Sequence, residues 1–211
     1  MAAGIFPPRV ISVLLSVLAG YFLGSVPFGL LAGRMKGVDI RAHGSRNIGA
    51  TNVWRVCGWK YGLPVFVFDA AKGALAVIFA GRIAAHFGGE TEWAWVSGAL
   101  ACIVGHSFPV WLGFKGGKGV ATSLGAVLTM AWLPSVIAFG VWVLVFAVSR
   151  YVSVASIAAA AAFPVAVFFS GSRGPALGFA ILAAGLLIAR HKANIQRLIA
   201  GTESRAGRKA A

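Results

Sequence analysis

A segment rich in glycine and lysine lies between two strongly apolar stretches of the chain. It reads GFKGGKGVATS, residues 113–123, and its first seven residues include four glycines and two lysines. Consecutive glycines can direct backbone N–H groups at a phosphate, and a helix that begins near Val120 would add the positive end of its dipole. The alternative is a tight turn whose lysines only set membrane topology. The spacing is too short for a Walker A loop, and Gly119 stands where that motif needs Ser or Thr. The segment therefore predicts an anion site rather than nucleotide hydrolysis.

A longer polar segment, DIRAHGSRNIGATNVWR, occupies residues 39–55. Its glycines would let backbone amides approach a ligand, its serine and asparagines add hydrogen-bond partners, and arginine offers a planar fork that matches phosphate. The alternative, an ordinary basic loop, needs positive charge but not this arrangement of Gly, Asn and Ser. We interpret the segment as a second anion pocket.

Further polar groups stand at the ends of apolar runs. His106, in GHSFP, is suited to proton transfer near neutral pH, although a lone histidine also serves in packing. Ser153 follows Arg150 in RYVSVAS. His191 and Asn194 are three residues apart in RHKANIQR, which places them on one helical face.

Acidic residues are scarce, with five in the whole chain. Asp69 and Lys72 are spaced for an ion pair within an apolar run, which we interpret as structural because pairing makes charges tolerable in lipid. No carboxylate cluster is available for the paired metal ions of many phosphotransferases. Neither His106 nor His191 is followed by the acid of the HxxxxD motif, and no serine has an evident Ser-His-acid setting. We therefore expect a site with no metal and no cofactor.

The composition is that of an integral membrane protein. Of 211 residues, 59% are hydrophobic and 11% are charged, and the mean hydropathy is +0.84. The 28 glycines suit helices that approach each other closely in lipid. We predict an all-α polytopic bundle with seven transmembrane helices, or five if the runs shorter than the ~20 residues of a straight span are re-entrant. The apolar runs are 10–33, 62–86, 94–112, 119–131, 134–148, 153–169 and 175–190.

Basic residues concentrate in alternate connections between these runs and in the C-terminal tail. The formal net charge is +14, and we assign 15 of the 19 basic residues to one side, which the positive-inside rule makes cytoplasmic. The opposite connections carry Glu90, Glu92 and one arginine, so the N-terminus is predicted outside and the C-terminus inside. Charge placed at the ends of apolar runs favours anionic lipid and anionic substrates over nucleic acid. The assigned residues are Arg34, Lys36, Arg41, Arg46, Arg55, Lys60, Lys115, Lys118, Arg150, Arg190, Lys192, Arg197, Arg205, Arg208 and Lys209.

We predict one polytopic membrane domain over residues 1–200, with its active site at the cytoplasmic face, and a basic cytoplasmic tail over residues 201–211. The first apolar run continues past a usual signal-peptide core and ends against basic residues, so we interpret it as a retained anchor. Cys57 and Cys102 form no CxxC pair and are interpreted as reduced packing residues.

Five motifs, spread over nearly the whole chain, closely resemble those of the PlsY family, the bacterial acyl-phosphate-dependent glycerol-3-phosphate acyltransferases. The resemblance implies a multi-pass enzyme of the bacterial inner membrane with seven spans. Such an enzyme transfers a fatty acyl group from acyl phosphate to the 1-hydroxyl of glycerol 3-phosphate, giving lysophosphatidate and inorganic phosphate, without an acyl-enzyme. It also implies a functional link to an enzyme that produces acyl phosphate. The motifs are GSRNIGATNVWR, DAAKG, GHSFPVWLGFKGGKGVATSLG, RYVSVAS and RHKANIQRL.

The same resemblance implies roles for individual residues. Those that would bind glycerol 3-phosphate are Ser45, Arg55, Lys115, His191 and Asn194. Those that would bind the acyl phosphate are Asn47, Gly116, Gly117, Lys118, Gly119 and Ser153. The two lysines are interchangeable in this assignment, and the hydroxyl proton would pass to a histidine or to a phosphate oxygen of the substrate. We take His106, Ser45 and Asn194 as the catalytic candidates.

A transporter of phosphorylated anions is the alternative function, because it too would place cationic loops beside the bilayer. Transporters carry polar binding groups near the membrane midplane and often show repeated halves. The polar motifs of this chain instead gather on one predicted side, which favours the acyltransferase.

Overall fold

The computed structural model describes residues 6–207, and every regular element in that range is a helix. The chain forms two compact units, the first ending at Met130 and the second beginning at Ala131. A single 3-10 turn covers Val110–Leu112. The α-helices are α1 Pro8–Gly24, α2 Phe28–Met35, α3 Ala50–Cys57, α4 Trp59–Phe87, α5 Thr91–Ser107, α6 Val120–Met130, α7 Trp132–Ser149, α8 Val152–Phe169, α9 Gly174–Arg190 and α10 Lys192–Ile199.

Glycines bring α1 and α5 of the first unit into close contact. A side chain at Gly20 would overlap the carbonyl of Gly98, and a side chain at Gly24 would overlap the carbonyl of Cys102. In both contacts the two residues are separated by the same number of positions in the sequence, so moving along α1 also moves forward along α5. The two helices therefore run in the same direction. Small residues allow this approach of backbones in lipid, where no hydrophobic drive exists between helices.

The long helix α4 is the other main element of the first unit. Its 29 residues span about 43 Å at 1.5 Å per residue, which exceeds the ~30 Å hydrocarbon core of a bilayer. A side chain at Gly73 would overlap the carbonyl of Thr122, and one at Gly125 would overlap the carbonyl of Ala70. Helix α6 therefore lies directly against the backbone of α4.

An apolar cluster fixes both ends of the polar loop between α2 and α3. Ile40 and Ile48 of the loop pack with Leu30 of α2, Val53 of α3 and Val65 of α4. Each of these side chains is at most 3% exposed. Because the two isoleucines are buried, the polar residues between them are confined to one short segment.

The second unit consists of α7 to α10 and the chain that follows. Trp142 of α7 donates its indole N–H to Ser156 Oγ of α8 at 3.2 Å. Helices α9 and α10 meet at His191 with a bend of 51°. After α10 the chain turns back, and the backbone N–H of Ala206 donates to the carbonyl of Arg150 at 2.8 Å.

The all-helical prediction is confirmed for residues 6–207. In this range five segments are long and apolar enough to cross a bilayer, or six if the bent pair α9–α10 is one span, and α6 has only 11 residues. The predicted count of seven, the orientation of the termini and the single domain over residues 1–200 stay predictions. Residues 208–211 of the predicted tail lie outside the described residues.

Candidate active site

The two polar loops predicted from the sequence leave the same end of the first unit. The first loop follows α1 and α2, and the glycine loop, residues 113–119, follows α5. Because α1 and α5 run in the same direction, both loops emerge where these helices end. Tyr21, near the end of α1, donates its hydroxyl to the carbonyl of Phe108 at 3.0 Å, which ties the two helix ends together.

The glycine loop is anchored to the last carbonyls of α5. The backbone N–H of Gly116 donates to Ser107 O at 3.1 Å, and that of Gly117 donates to His106 O at 3.0 Å. A side chain at Gly116 would overlap His106 O, and a side chain at Gly117 would overlap the imidazole Nε2 of His106. These two N–H groups thus satisfy carbonyls that a helix end leaves without intrahelical partners, and they are bound to protein rather than directed at a phosphate.

The two lysines of the loop differ in exposure. The side chain of Lys115 is exposed, whereas Lys118 is half-buried and engaged with the protein. Lys115 is therefore the loop cation that a ligand reaches most easily.

Asn52 of α3 organises the first loop. Its side-chain NH₂ lies 3.2 Å from Ile40 O, 3.1 Å from His43 O and 2.9 Å from Asn47 O, sharing its donors among three carbonyls. Its Oδ1 accepts the backbone N–H of Ser45 at 2.8 Å. The Asn52 side chain is only 2% exposed, so one buried amide sets the curvature of the loop that carries the predicted ligands Ser45 and Asn47.

Asn47 shapes the same loop. Its Oδ1 accepts the backbone N–H of Gly49 at 2.8 Å, an Asx-type turn just before α3. Asn47 is half-buried, so the predicted role in binding acyl phosphate would rest on the remainder of its side chain.

The arginines of the first loop are not equivalent. Arg41 pairs with Asp39 through two contacts of 3.0 and 2.9 Å, and this hydrogen bonding lowers the pKa of the Asp39 carboxyl to about 2. Arg55 of α3 is exposed, and within residues 6–207 neither Arg55 nor Lys115 forms an ion pair. Arg46 of the first loop is likewise exposed and outside these ion pairs, so Arg46, Arg55 and Lys115 all offer charge to an external anion.

A buried ionic cluster lies next to the loops. The sequence predicted its Asp69–Lys72 pair but not the contact of this pair with His106. Lys72 Nζ lies 2.8 Å from Asp69 Oδ1, 2.9 Å from His106 Nδ1 and 3.0 Å from the carbonyl of Val26. Asp69 and Lys72 are each 2% exposed, and His106 is 5% exposed. Lys72 therefore connects α4 both to the chain just after α1 and to the last turn of α5.

In the second unit a carboxylate from the predicted tail gathers two predicted site residues. Glu203 Oε1 accepts from Ser153 Oγ at 2.9 Å and from Asn194 Nδ2 at 2.6 Å, while its Oε2 accepts from Arg197 Nε at 2.7 Å. Burial disfavours the ionised carboxyl, but these three hydrogen bonds outweigh it and hold the pKa of Glu203 below its ordinary value. The sequence indicated Ser153 and Asn194 but not Glu203, which looked like part of a solvated tail.

His191 stands at the bend between α9 and α10. Its Nδ1 donates to the carbonyl of Leu187 at 2.8 Å, and the residue is 2% exposed. This hydrogen bond fixes the orientation of the ring, and Nε2 is then the ring nitrogen that points away from the carbonyl of Leu187. Asn194 Oδ1 is buried without a hydrogen-bond partner among residues 6–207, so the amide has spare acceptor capacity next to Glu203.

Within residues 6–207 no three His, Cys, Asp or Glu side chains form a group suited to a metal ion. Cys57 and Cys102 are both buried free thiols. Four of the five acids lie in ion pairs instead: Asp39 with Arg41, Asp69 with Lys72, Glu90 with Arg9, and Glu203 with Arg197. The expectation of a metal-free site stays a prediction.

Comparison with known proteins identifies the family. The family model described as glycerol-3-phosphate acyltransferase matches residues 14–201. A glycerol-3-phosphate acyltransferase of Synechococcus sp. (strain CC9902) is 44% identical over 200 residues, which cover 94% of this chain and 98% of the relative. Another, of Synechococcus sp. (strain JA-3-3Ab), is 46% identical over 203 residues, covering 96% and 97%.

Solved structures agree. The crystal structure of PlsY, an integral membrane glycerol 3-phosphate acyltransferase, in its glycerol 3-phosphate form has a TM-score of 0.86 and 42% identity, covering 93% of this chain and 96% of PlsY. Its lysophosphatidic acid form has a TM-score of 0.83 at the same identity and coverage. The similarity confirms an all-helical integral membrane protein. On these matches over nearly its whole length, the chain belongs to the glycerol-3-phosphate acyltransferase family.

Proposed function

We propose that this protein transfers a fatty acyl group from acyl phosphate to the 1-hydroxyl of glycerol 3-phosphate. The hydroxyl oxygen forms a bond with the acyl carbonyl carbon, the bond from that carbon to the phosphate oxygen breaks, and the hydroxyl proton leaves on phosphate or a histidine. The products are lysophosphatidate and inorganic phosphate. Family membership supports the acyltransferase class, and acyl phosphate is the donor proposed here.

The observation that carries the proposal is the shared end of the two polar loops in the first unit. Both loops carry a cation without an ion-pair partner among residues 6–207, Arg55 on one side and Lys115 on the other. Both substrates are phosphate-bearing anions, and arginine and lysine recognise phosphate as a planar fork and as a point charge. A long acyl chain that remains in lipid requires the cations to lie beside apolar helices, as these do.

Acyl phosphate is a mixed anhydride with a good leaving group, so the protein needs chiefly to align the hydroxyl with the carbonyl and to neutralise developing charge. No covalent acyl-enzyme is needed. We assign Ser45, Arg55 and Lys115 of the first unit to glycerol 3-phosphate, with His191 and Asn194 as further ligands. For the acyl phosphate, we assign the glycine loop with Lys118, together with Asn47 and Ser153.

Two features of the structure refine these assignments. The N–H groups of Gly116 and Gly117 are bonded to α5, so the contribution of these glycines is to let the loop lie against His106. The Ser153 hydroxyl and the Asn194 amide donate to the same oxygen of Glu203, so this carboxylate fixes the two side chains relative to each other.

We place the enzyme in the bacterial inner membrane as a multi-pass protein, with the active site on the cytoplasmic side, and we expect a functional link to an enzyme that makes acyl phosphate. The deciding experiment is to purify the protein in detergent and supply palmitoyl phosphate and glycerol 3-phosphate in excess EDTA without nucleotide. Lysophosphatidate and phosphate should form in equal amounts. Comparable turnover with acyl-CoA, or loss of activity to EDTA with recovery on adding magnesium, would contradict the donor or the metal-free site.

A further inference from the structure

We propose that Lys72, held by Asp69, is a positioning residue that keeps His106 neutral with its proton on Nε2, and so presents an N–H group rather than a base to the glycine loop. The inference about the ring stands on the geometry of the first unit alone. Its consequence for acyl transfer rests on the proposed function.

Lys72 has two neighbours that bear on its charge. Its Nζ is 2.8 Å from a carboxylate oxygen of Asp69 and 5.6 Å from the ring centroid of Phe28, and both neighbours favour an ammonium. A charged pair of opposite sign is also how two ionisable side chains that are each 2% exposed are tolerated in an apolar bundle.

The ring nitrogen of His106 that faces Lys72 is Nδ1. An ammonium has donors and no acceptor. Lys72 Nζ lies 2.9 Å from His106 Nδ1, whereas Asp69 Oδ1, which could accept a proton from Nδ1, is 3.5 Å away. Because the closer partner can only donate, Nδ1 accepts its hydrogen bond and carries no proton. The other nitrogen, Nε2, then carries the proton of the neutral ring.

The proton on Nε2 faces the glycine loop. A side chain at Gly117 would overlap His106 Nε2, so this nitrogen lies directly against the backbone of the glycine loop. The loop is bonded in turn to the carbonyls of His106 and Ser107. The ring therefore stands between the buried Lys72 and the loop, with its acceptor facing inward and its donor facing outward.

A ring in this state is poorly suited to take up the hydroxyl proton, because its Nε2 already carries one and its Nδ1 is occupied. It is suited to donate a hydrogen bond to the loop or to a phosphate oxygen held there. His106 is then not the group that accepts the proton of the attacking hydroxyl.

The test of the tautomer is ¹⁵N NMR of protein labelled in its histidines. The chain has four histidines, and His106→Gln removes the His106 signals and so assigns them. We expect Nδ1 of His106 to resonate as an unprotonated nitrogen and Nε2 as a protonated one. In Lys72→Met, the Asp69 carboxylate, 3.5 Å from Nδ1, becomes the nearest partner, so Nδ1 should become protonated. Lys60→Met, an exposed lysine on the same helix, should leave the His106 signals unchanged.

A protonated Nδ1 in the wild-type protein would overturn the proposal, and this measurement decides even where Lys72→Met fails to fold. Unchanged Nδ1 signals in a folded Lys72→Met variant would overturn it too, since a merely structural lysine would leave the tautomer alone. Failure of the wild-type protein to make lysophosphatidate would contradict the proposed function without touching the tautomer.

Kinetics supply the second readout. His106→Gln keeps an N–H donor near the Nε2 position but cannot act as a base, so we expect kcat within about tenfold of wild type, and a larger loss in His106→Ala. Equal losses of roughly 10²- to 10⁴-fold in both variants would identify a general base instead and refute the donor role.

Discussion

Asn194 Nδ2 lies 2.6 Å from Glu203 Oε1, although Glu203 belongs to the chain that follows α10. The same carboxylate binds Arg197 at 2.7 Å and is 9% exposed. The tail is therefore part of the predicted site, because it holds the amide that the family resemblance assigns to glycerol 3-phosphate.

Replacing Glu203 by Gln should destabilise the protein and weaken glycerol 3-phosphate binding together. The change removes the negative charge and replaces one of the two acceptor oxygens with an NH₂ donor, so either Arg197 or the pair Ser153 and Asn194 loses its acceptor. Hydrogen bonds to charged groups contribute roughly 1.5–3 kcal/mol each. Thermal unfolding in detergent and the KM for glycerol 3-phosphate measure the two effects. Ser204→Ala, an exposed neighbour, is the control. An unchanged unfolding temperature in Glu203→Gln would contradict the role given to the carboxylate.

The Glu203 contribution should also depend on pH in a defined direction. Its hydrogen bonds hold the folded pKa below the ordinary value of 4.5, so the carboxyl binds a proton more readily in the unfolded chain. Its stabilisation is therefore fully present above about pH 4.5 and is lost as the pH falls through the lowered pKa. Unfolding temperatures of wild type and Glu203→Gln should differ at neutral pH and converge in acid. A difference that persists unchanged at the lowest pH would refute this linkage.

The buried ionic cluster contains one contact that the sequence could predict and one that it could not. Asp69 and Lys72 are three apart, and helical geometry alone predicted their pairing, which the 2.8 Å contact bears out. His106 joins them from a position 34 residues away from Lys72, through the packing of α4 against α5. No periodicity encodes such a contact, because it depends on the relative rotation of two helices.

Glu203 was missed for a different reason. The last residues are polar and basic, a composition typical of solvated tails. The return of the chain depends on a turn at Gly201, where φ is 69°, and on the backbone bond from Ala206 to Arg150. Both are tertiary features, whereas the motif residues Ser153 and Asn194 were recognisable one by one.

Gly117→Ala should impair use of the acyl phosphate. The added methyl group overlaps Nε2 of His106, so the ring or the loop must shift. Overpacking of this kind costs roughly 1–3 kcal/mol, which corresponds to about five- to 150-fold if it falls on substrate binding. The KM for palmitoyl phosphate is the measurement. Gly178→Ala on α9, where nothing lies within 4 Å of the added atom, should behave as wild type; an equal effect of the two substitutions would rule out the specific clash.

Arg55→Ala and Asn52→Ala should separate binding from folding, although both lie on α3. Arg55 is exposed and unpaired within residues 6–207, so its loss should raise the KM for glycerol 3-phosphate about ten- to a hundredfold without lowering the unfolding temperature. Asn52 is 2% exposed and bonds four backbone groups, so its loss should destabilise the loop by about 1–3 kcal/mol or more. If the Arg55 effect fell wholly on kcat, the arginine would act in the transition state instead.

The sidedness of the first unit can be tested with two cysteines. Arg9 and Glu90, at the starts of α1 and α5, lie 3.2 Å apart, so both helices begin at the same end of the unit. The two basic loops lie at the opposite end. The positive-inside rule predicts that the loop end is cytoplasmic. Ala42 in the first loop and Thr91 at the start of α5 are both exposed and report on opposite ends.

Ala42→Cys should react with a membrane-impermeant maleimide only after the cells are opened, whereas Thr91→Cys should react on intact cells. The native thiols of Cys57 and Cys102 are buried, so wild type supplies a low background in the same assay. Labelling after denaturation shows that each introduced thiol is present and intact. The reverse pattern would place the loops outside, away from cytoplasmic glycerol 3-phosphate, and would overturn the proposed topology and active-site location together.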